Sequence, residues 1–269
     1  MDRIKINFLT RETRAGRAVW IKQRRALAVP VMAVANGFFR LVGNPVRTLA
    51  EVEAWQSWEV DCFLHLHGEK YRAFRCGPRA VGADELPGRS LSQHLEAGTL
   101  TPEMTDAAGR ELCRAHARTC ERFGAAWSHG DPHSGNFIFD PDEDRARLID
   151  FEVRHRSSLS ADERHADDLL VFLQDLMGRV EAGSWLPCAS AFLRGYGRAE
   201  IYPLLEKRLA APRGLARIWW AVRTTYLPRV QVQNRCRELR GIFPSLADGL
   251  GAADERIASD DPLLHGHPA

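Results

Sequence analysis

Three oxygen-bearing side chains stand out between Ser128 and Glu152: Asp131, Asn136 and Asp150. Asp131 lies in His129-Gly130-Asp131-Pro132, a run of turn formers, and Asn136 follows at the entry to a short β-prone segment, Phe137–Phe139. A second such segment, Arg147–Ile149, is joined to the first by Pro141-Asp142-Glu143-Asp144. The pair predicts a hairpin that returns Asp150 beside Asn136. An Asn amide oxygen and an Asp carboxylate are hard ligands of the kind Mg2+ takes when it holds a nucleotide's phosphates. A carboxylate kept off the metal, here Asp131, can accept or orient the proton of an acceptor hydroxyl. Phosphoryl transfer asks for little beyond such positioning and charge neutralisation. His-Gly-Asp-Pro alone would be read as a turn; Asn136 in register and Asp150 returning make it a candidate site.

The rest of the chain must position these groups. Residues 3–9 and Ala18–Lys22 are strand candidates, and Ala50–His67 reads as a helix with Val52, Trp55, Phe63 and Leu66 at helical spacing. Arg72–Arg75 and Arg79–Ala83 look like short strands, followed by a turn at Leu86-Pro87-Gly88 and a helix over Ser90–Ala97. Pro102–Phe123 reads as one long helix. From Ala161 onward the pattern is helical, with breaks expected at Pro187, Pro203, Pro212 and Pro228. At 269 residues and 45% hydrophobic, the chain can bury a sizeable core. Strands early and helices late predict an α+β, two-lobed plan with its boundary near Leu86–Gly88.

The spacing His-x-Asp-x-x-x-x-Asn followed by Asp-Phe resembles the catalytic and metal-binding loops of kinases. Gly130 after the histidine, and Ile149-Asp150-Phe151-Glu152, resemble the bacterial protein-kinase-like phosphotransferases. That branch includes aminoglycoside and choline phosphotransferases and the lipopolysaccharide-core (Kdo and heptose) sugar kinases. The resemblance implies a bilobal kinase-like fold that uses ATP and Mg2+, with Asp131 catalytic, Asn136 and Asp150 as metal ligands, and His129 structural in the loop. Val19-Trp20-Ile21-Lys22 resembles the strand whose lysine binds the α and β phosphates, and Glu59 the helix glutamate paired with it. Glu51 and Glu53 share that predicted helix and stay open as alternatives. Asp84–Leu91 looks like the inter-lobe hinge. The implied organisation is an N-lobe over 1–86, a C-lobe over 87–250 and a flexible tail over 251–269.

Two departures shape the reading. A Gly-x-Gly-x-x-Gly phosphate loop is absent: Thr10–Gly16 has one glycine, flanked by Arg11, Arg14 and Arg17, which could hold phosphates by charge instead. Only sixteen residues separate Asp150 from Asp167-Asp168-Leu169-Leu170, read as the acidic start of an apolar helix. A long activation segment does not fit there, which favours a sugar, glycolipid or other small hydroxyl acceptor over a protein. A serine/threonine protein kinase and a non-catalytic kinase-like binding protein remain the alternatives. A two-metal phosphoesterase, with His265-Gly266-His267 as late ligands, lacks the intervening ligands such a site needs.

Net charge is only +2, yet residues 1–50 carry ten Lys/Arg against two acids, and residues 204–240 nine against two. With Trp219 and Trp220 in the second zone, peripheral contact with a membrane is one expectation; nucleic acid is not expected. Six cysteines without a CxxC pair suit a reducing, cytoplasmic setting, with or without contact to the inner membrane. Cys113, His116 and Cys120 would share a helix face, better read as core than as a metal site. The opening Met-Asp-Arg-Ile-Lys-Ile-Asn lacks the shape of a signal peptide, and the apolar stretch Ala26–Phe39 is too short to span a bilayer.

Overall fold

The computed structural model describes residues 7–121, 125–210 and 212–259, the side chains of 250–259 excepted. The strand expected over 3–9 lies partly, and His265-Gly266-His267 wholly, outside the described residues. β1 (Asn7–Arg14) and β2 (Arg17–Arg24) form a hairpin through Ala15-Gly16, whose φ angles of 49° and 76° suit the tight turn that a right-twisted ribbon requires. β4 (Ala73–Gly77) and β5 (Ala80–Asp84) complete an antiparallel sheet of order β1-β2-β5-β4. α2 (Val52–His67) buries Trp55, Phe63 and Leu66 of the four residues whose spacing marked the helix in the sequence, and Trp58 besides; Val52 is only partly buried.

The stretch Ala26–Phe39 contributes α1 (Ala28–Leu41), a helix set among the early strands. Pro30 falls in its first turn, where no intrahelical N–H is needed, and Gly43 at φ +67° ends the turn that follows. Asn36 in α1 clasps the backbone of Thr48 from both sides, with bonds of 3.0 and 2.8 Å. Thr48 belongs to β3 (Val46–Thr48), which pairs with β11 (Val153–His155), directly after the Asp150 segment. An early strand is thereby tied to the site hairpin.

β6 (Arg89–Ser90) leads into α3 (Leu91–Glu96), closed by a reciprocal Ser90–Gln93 capping box. α4 (Pro102–His116) is shorter than expected. It does not continue past His116, because the Arg118 carbonyl accepts from the Trp127 N–H at 2.8 Å and Thr119–Cys120 (β7) pairs with Ala125–Ala126 (β8); the last residues of the expected helix, 122–123, lie outside the described residues. Burying Trp127 outweighs extending the helix. β9 (Phe137–Asp140) and β10 (Arg145–Leu148) form the expected hairpin, with Leu148 opposite Phe137.

α5 (Ala161–Arg179) is the centre of the helical lobe; Leu169, Phe172, Leu173 and Leu176 are fully buried. It begins at a Ser160–Glu163 capping box, so Asp167 and Asp168 sit in its second turn and not at its acidic start. α6 (Ala182–Tyr196) passes through Pro187 without the expected break. Burial of Trp185, Cys188, Ala189 and Phe192 offsets the roughly 3 kcal/mol a helix-interior proline costs. Pro203 opens α7 (Tyr202–Arg208), and Pro228 precedes α9 (Arg229–Ser259); α8 (Ala216–Arg223) lies between them. α9 carries helix into the segment expected as a tail.

α4 and α6 cross with backbone nearly touching backbone. A Cβ on Gly109 would stand 2.1 Å from the Phe192 carbonyl oxygen, and one on Gly195 2.1 Å from that of Asp106. Gly109→Ala is therefore expected to destabilise by about 3 kcal/mol or more, because the overlap exceeds the ~1 kcal/mol gain in helix propensity. A fall in Tm of roughly 10 °C checks this. Gly183→Ala, in open space on α6, is the neutral control.

Candidate active site

Lys22 projects from β2 into the cleft, where its ammonium meets Glu59 Oε1 of α2 at 3.0 Å, Asp150 Oδ1 at 2.6 Å and Glu152 Oε1 at 2.9 Å. Glu51 and Glu53 are not part of this cluster; among the three helix glutamates the lysine pairs with Glu59. Desolvation works against the Lys22 charge, but Asp150, Glu59 and Glu152 together outweigh it and raise its pKa. Partial exclusion of solvent likewise opposes the Asp150 charge, yet the adjacent ammonium holds that carboxyl below its usual range. For Glu59 burial prevails over Lys22 and pushes the carboxyl up. When all three acids are ionised, they outnumber Lys22 and the nearby buried Arg24, which interacts with all three, by one negative charge. Such a surplus suits a divalent cation.

Asn136 and Asp150 are neighbours through the hairpin, since the Ile149 N–H donates to the Asn136 carbonyl at 2.9 Å. Asn136 Nδ2 donates to the Asp131 carbonyl at 2.9 Å, which leaves its Oδ1 as the acceptor turned to other partners. With the carboxylates of Asp150 and Glu152, this is an all-oxygen set of the kind Mg2+ uses when phosphates complete its shell. Among the described residues, no group of three His, Cys, Asp or Glu side chains converges as a self-sufficient metal cage. The Asp131 side chain is 42% exposed, and Arg223 of α8 approaches its Oδ1 at 3.8 Å. Cys120 falls beyond the end of α4, and His116 is bound to Tyr196 and Asp168, as a core histidine would be.

The loop bearing Asp131 is held from behind. Asp168 is fully buried and accepts from the His129 N–H at 2.8 Å, the Gly130 N–H at 2.7 Å and His116 Nε2 at 3.0 Å. One helical repeat further along, Asp175 accepts from the Ser134 N–H at 2.9 Å. Gly130 is required here: φ is +92°, and a Cβ would meet Val153 at 3.1 Å. His129 Nδ1 accepts from the Asp131 N–H at 3.2 Å, so Nε2 is the nitrogen left to donate to the Ile149 carbonyl, 3.0 Å away. The neutral ring thus links the Asp131 loop to the Asp150 hairpin, and burial lowers its pKa.

Sequence reasoning missed Asp168, Asp175, Arg223, Arg24 and Glu152. The first two had a usable signal, carboxylates seven residues apart on an otherwise apolar helix face. Arg24 lies two residues after Lys22, on the same face of β2, and is buried with its guanidinium 4.0 Å from the Trp55 ring. The hairpin arginines are already paired: Arg11 with Glu85, Arg14 with Glu12 and Arg17 with Asp84, at 2.8, 2.9 and 3.1 Å. Holding phosphates would require breaking these pairs.

Buried neutral histidines make the fold acid-sensitive. Desolvation lowers His67 to about 4 and His165 to about 3, each ring bonded to a backbone carbonyl. An unfolded imidazole takes its proton near pH 6.5, so below that pH the unfolded chain holds more protons than the folded one. Stability should fall as pH drops from about 6.5 towards 4, by up to ~1.4 kcal/mol per unit for each such histidine. Thermal melts against pH should show this slope, and a His67→Leu chain should show a shallower one.

No family model matches the sequence. No curated protein matches it either. Solved structures that resemble the chain include Rv3197 from Mycobacterium tuberculosis in complex with erythromycin, at 16% identity and TM-score 0.41, covering 87% of this chain and 71% of that one. Plasmodium vivax ethanolamine kinase matches at 10% identity and TM-score 0.45, covering 91% and 83%. The bifunctional kinase-methyltransferase WbdD matches at 18% identity and TM-score 0.40, covering 78% and 45%.

Proposed function

We propose that this chain, which has a protein-kinase-like bilobal fold, is an ATP- and Mg2+-dependent phosphotransferase acting on a hydroxyl of a small molecule or sugar. The carrying observation is the convergence of Lys22, Glu59, Asp150 and Glu152, with Asn136 and Asp131 on the loop beside them. In this reading residues 1–86 form the lobe that grips nucleotide, residues 87–250 supply the catalytic loop, and the backbone near Asp84–Leu91 meets the adenine edge. Lys22, oriented by Glu59, neutralises the α and β phosphates. Asn136 and Asp150 would hold Mg2+, which when bound neutralises charge on the β and γ phosphates. Asp131 Oδ accepts the proton of the acceptor hydroxyl as its oxygen attacks the γ-phosphorus; the bond to the β,γ-bridging oxygen breaks, and ADP departs. Arg223 beside Asp131 favours an acceptor that carries negative charge of its own, as a lipopolysaccharide-core sugar does.

A second reading, a nucleotide-binding protein without transfer, draws support from the paired hairpin arginines. Incubating labelled ATP and Mg2+ with a panel of sugars, glycolipids and small alcohols separates the two. Label transferred to an acceptor supports the enzyme; nucleotide binding without transfer across the panel supports the second reading. Asp150→Ala should weaken Mg2+-dependent nucleotide binding by about tenfold or more, ~1.4 kcal/mol per decade, in a calorimetric titration. Unchanged affinity would remove Asp150 from the metal site.

A further inference from the structure

One well-formed cavity lies away from the catalytic cluster. It measures about 860 Å³ and lies between α8 and the first turns of α9; none of Lys22, Asp131, Asn136 and Asp150 lines it. That volume suits a ligand of moderate size. Its walls divide into two chemistries. Leu209, Ile218, Trp220, Leu227, Val232 and Cys236 supply an apolar surface, and Arg217, Arg229, Arg237 and Arg240 supply charge. No acidic side chain lines it. Arg217 and Arg229 are exposed and have no carboxylate within salt-bridge distance among the described residues. The first turn of α9 adds its positive dipole end to the same wall.

The rim is held in a strained shape. Thr225 and Tyr226, between α8 and α9, both adopt left-handed backbone angles, φ 52° and 59°. A β-branched residue there is a true outlier, and surrounding structure must enforce it. The enforcement is visible at Gly178 of α5, where a Cβ would stand 2.5 Å from the Thr224 backbone. α8 separates the cavity from the cleft. Trp219 and Arg223, one turn apart, face Phe39 and Asp131, whereas Trp220 and Ala221 line the cavity.

We propose that the α8–α9 cavity is a binding site for an amphiphilic anion, with its apolar body against Trp220 and Leu227 and its anionic head on Arg217 and Arg229. Neither the nucleotide nor the acceptor hydroxyl of the proposed reaction occupies it, so the site stands or falls independently of that reaction. The apolar wall alone would take any hydrophobe, and the arginines alone any anion. Their combination selects both features in one molecule.

The test is calorimetric titration of the full chain with monomeric dodecyl phosphate, with inorganic phosphate and dodecyltrimethylammonium as the single-feature controls. One-to-one binding of dodecyl phosphate, unchanged by ATP and Mg2+, is the expected result. The Arg217→Glu/Arg229→Glu pair, on exposed positions outside the catalytic cluster, should weaken it at least tenfold. Ala221→Trp, which fills the cavity, should abolish it. Equal binding of either control, or unaltered binding by the charge-reversed pair, would overturn the proposal. Phosphatidylglycerol–phosphatidylcholine vesicles distinguish the sources of such an anion. Vesicle binding lost in the Ala221→Trp chain identifies a membrane lipid, and binding of monomeric dodecyl phosphate alone identifies a soluble amphiphile.

Discussion

Asp131→Ala is expected to cut phosphoryl transfer by about a thousandfold while leaving ATP affinity nearly unchanged. The separation follows from the geometry. Lys22, Glu59, Asp150 and Glu152 form the one cluster that we propose meets the nucleotide, and among the described residues no salt bridge joins Asp131 to Lys22. Its carboxylate is 42% open to solvent, and its partner Arg223, 11% exposed, keeps its place 4.8 Å from the Trp219 ring, so the fold should persist at a modest cost in stability. The Asn136 bond to the loop is also retained, because it goes to the Asp131 backbone carbonyl and not to the side chain. Single-turnover transfer measured beside nucleotide titration gives both quantities. Full activity in this variant would sink the proposed mechanism, and loss of nucleotide binding would show that Asp131 belongs to the phosphate site instead.

Asp168→Ala should have the largest effect on stability, about 3–5 kcal/mol. Three buried donors, the N–H groups of His129 and Gly130 and the ring of His116, lose their common acceptor, and no water-exposed route replaces it. For a chain of this size that corresponds to a Tm lower by roughly 10 °C or more. Asp168→Asn keeps the volume and one accepting oxygen, so its loss should be smaller. A second signature comes from pH. Burial opposes the Asp168 charge, but His155, His116 and His129 outweigh it and hold the carboxyl well below the usual carboxylate range. The stability it contributes is complete above the unfolded carboxylate pKa, near 4, and is lost as pH falls further. The alanine chain should lack that part of the acid transition. A Tm within about 2 °C of the parent chain would show that the loop is held by other contacts.

How far the sequence reveals this molecule depends on the range of the forces involved. Local signals were legible. The short β-prone run Ala18–Lys22 places a strand, the turn at Leu86–Gly88 leads into a helix, and the proline-led turn at Pro141–Asp144 returns Asp150 beside Asn136. These features arise from neighbours within a few residues, so composition and spacing carry them. Where local preference met a distant partner, the partner prevailed. Helix propensity beyond His116 yielded to burial of Trp127, and the break at Pro187 yielded to packing of the face that carries Trp185 and Phe192.

The candidate site divides along the same line. The residue types of Asp131, Asn136 and Asp150, and the adjacency of the last two, follow from one short stretch of sequence. The choice of Glu59 over Glu51 and Glu53, the entry of Glu152 into the lysine cluster, the Asp168 anchor beneath the loop and the cation at Asp131 from α8 do not. Each is a contact between groups far apart along the chain. Its geometry depends on how helices and sheet stack around a common core, and a charged side chain there is chosen by the desolvated charges that surround it. The sequence by itself determines the chemical inventory and the hairpin that carries it; tertiary packing decides which charges meet.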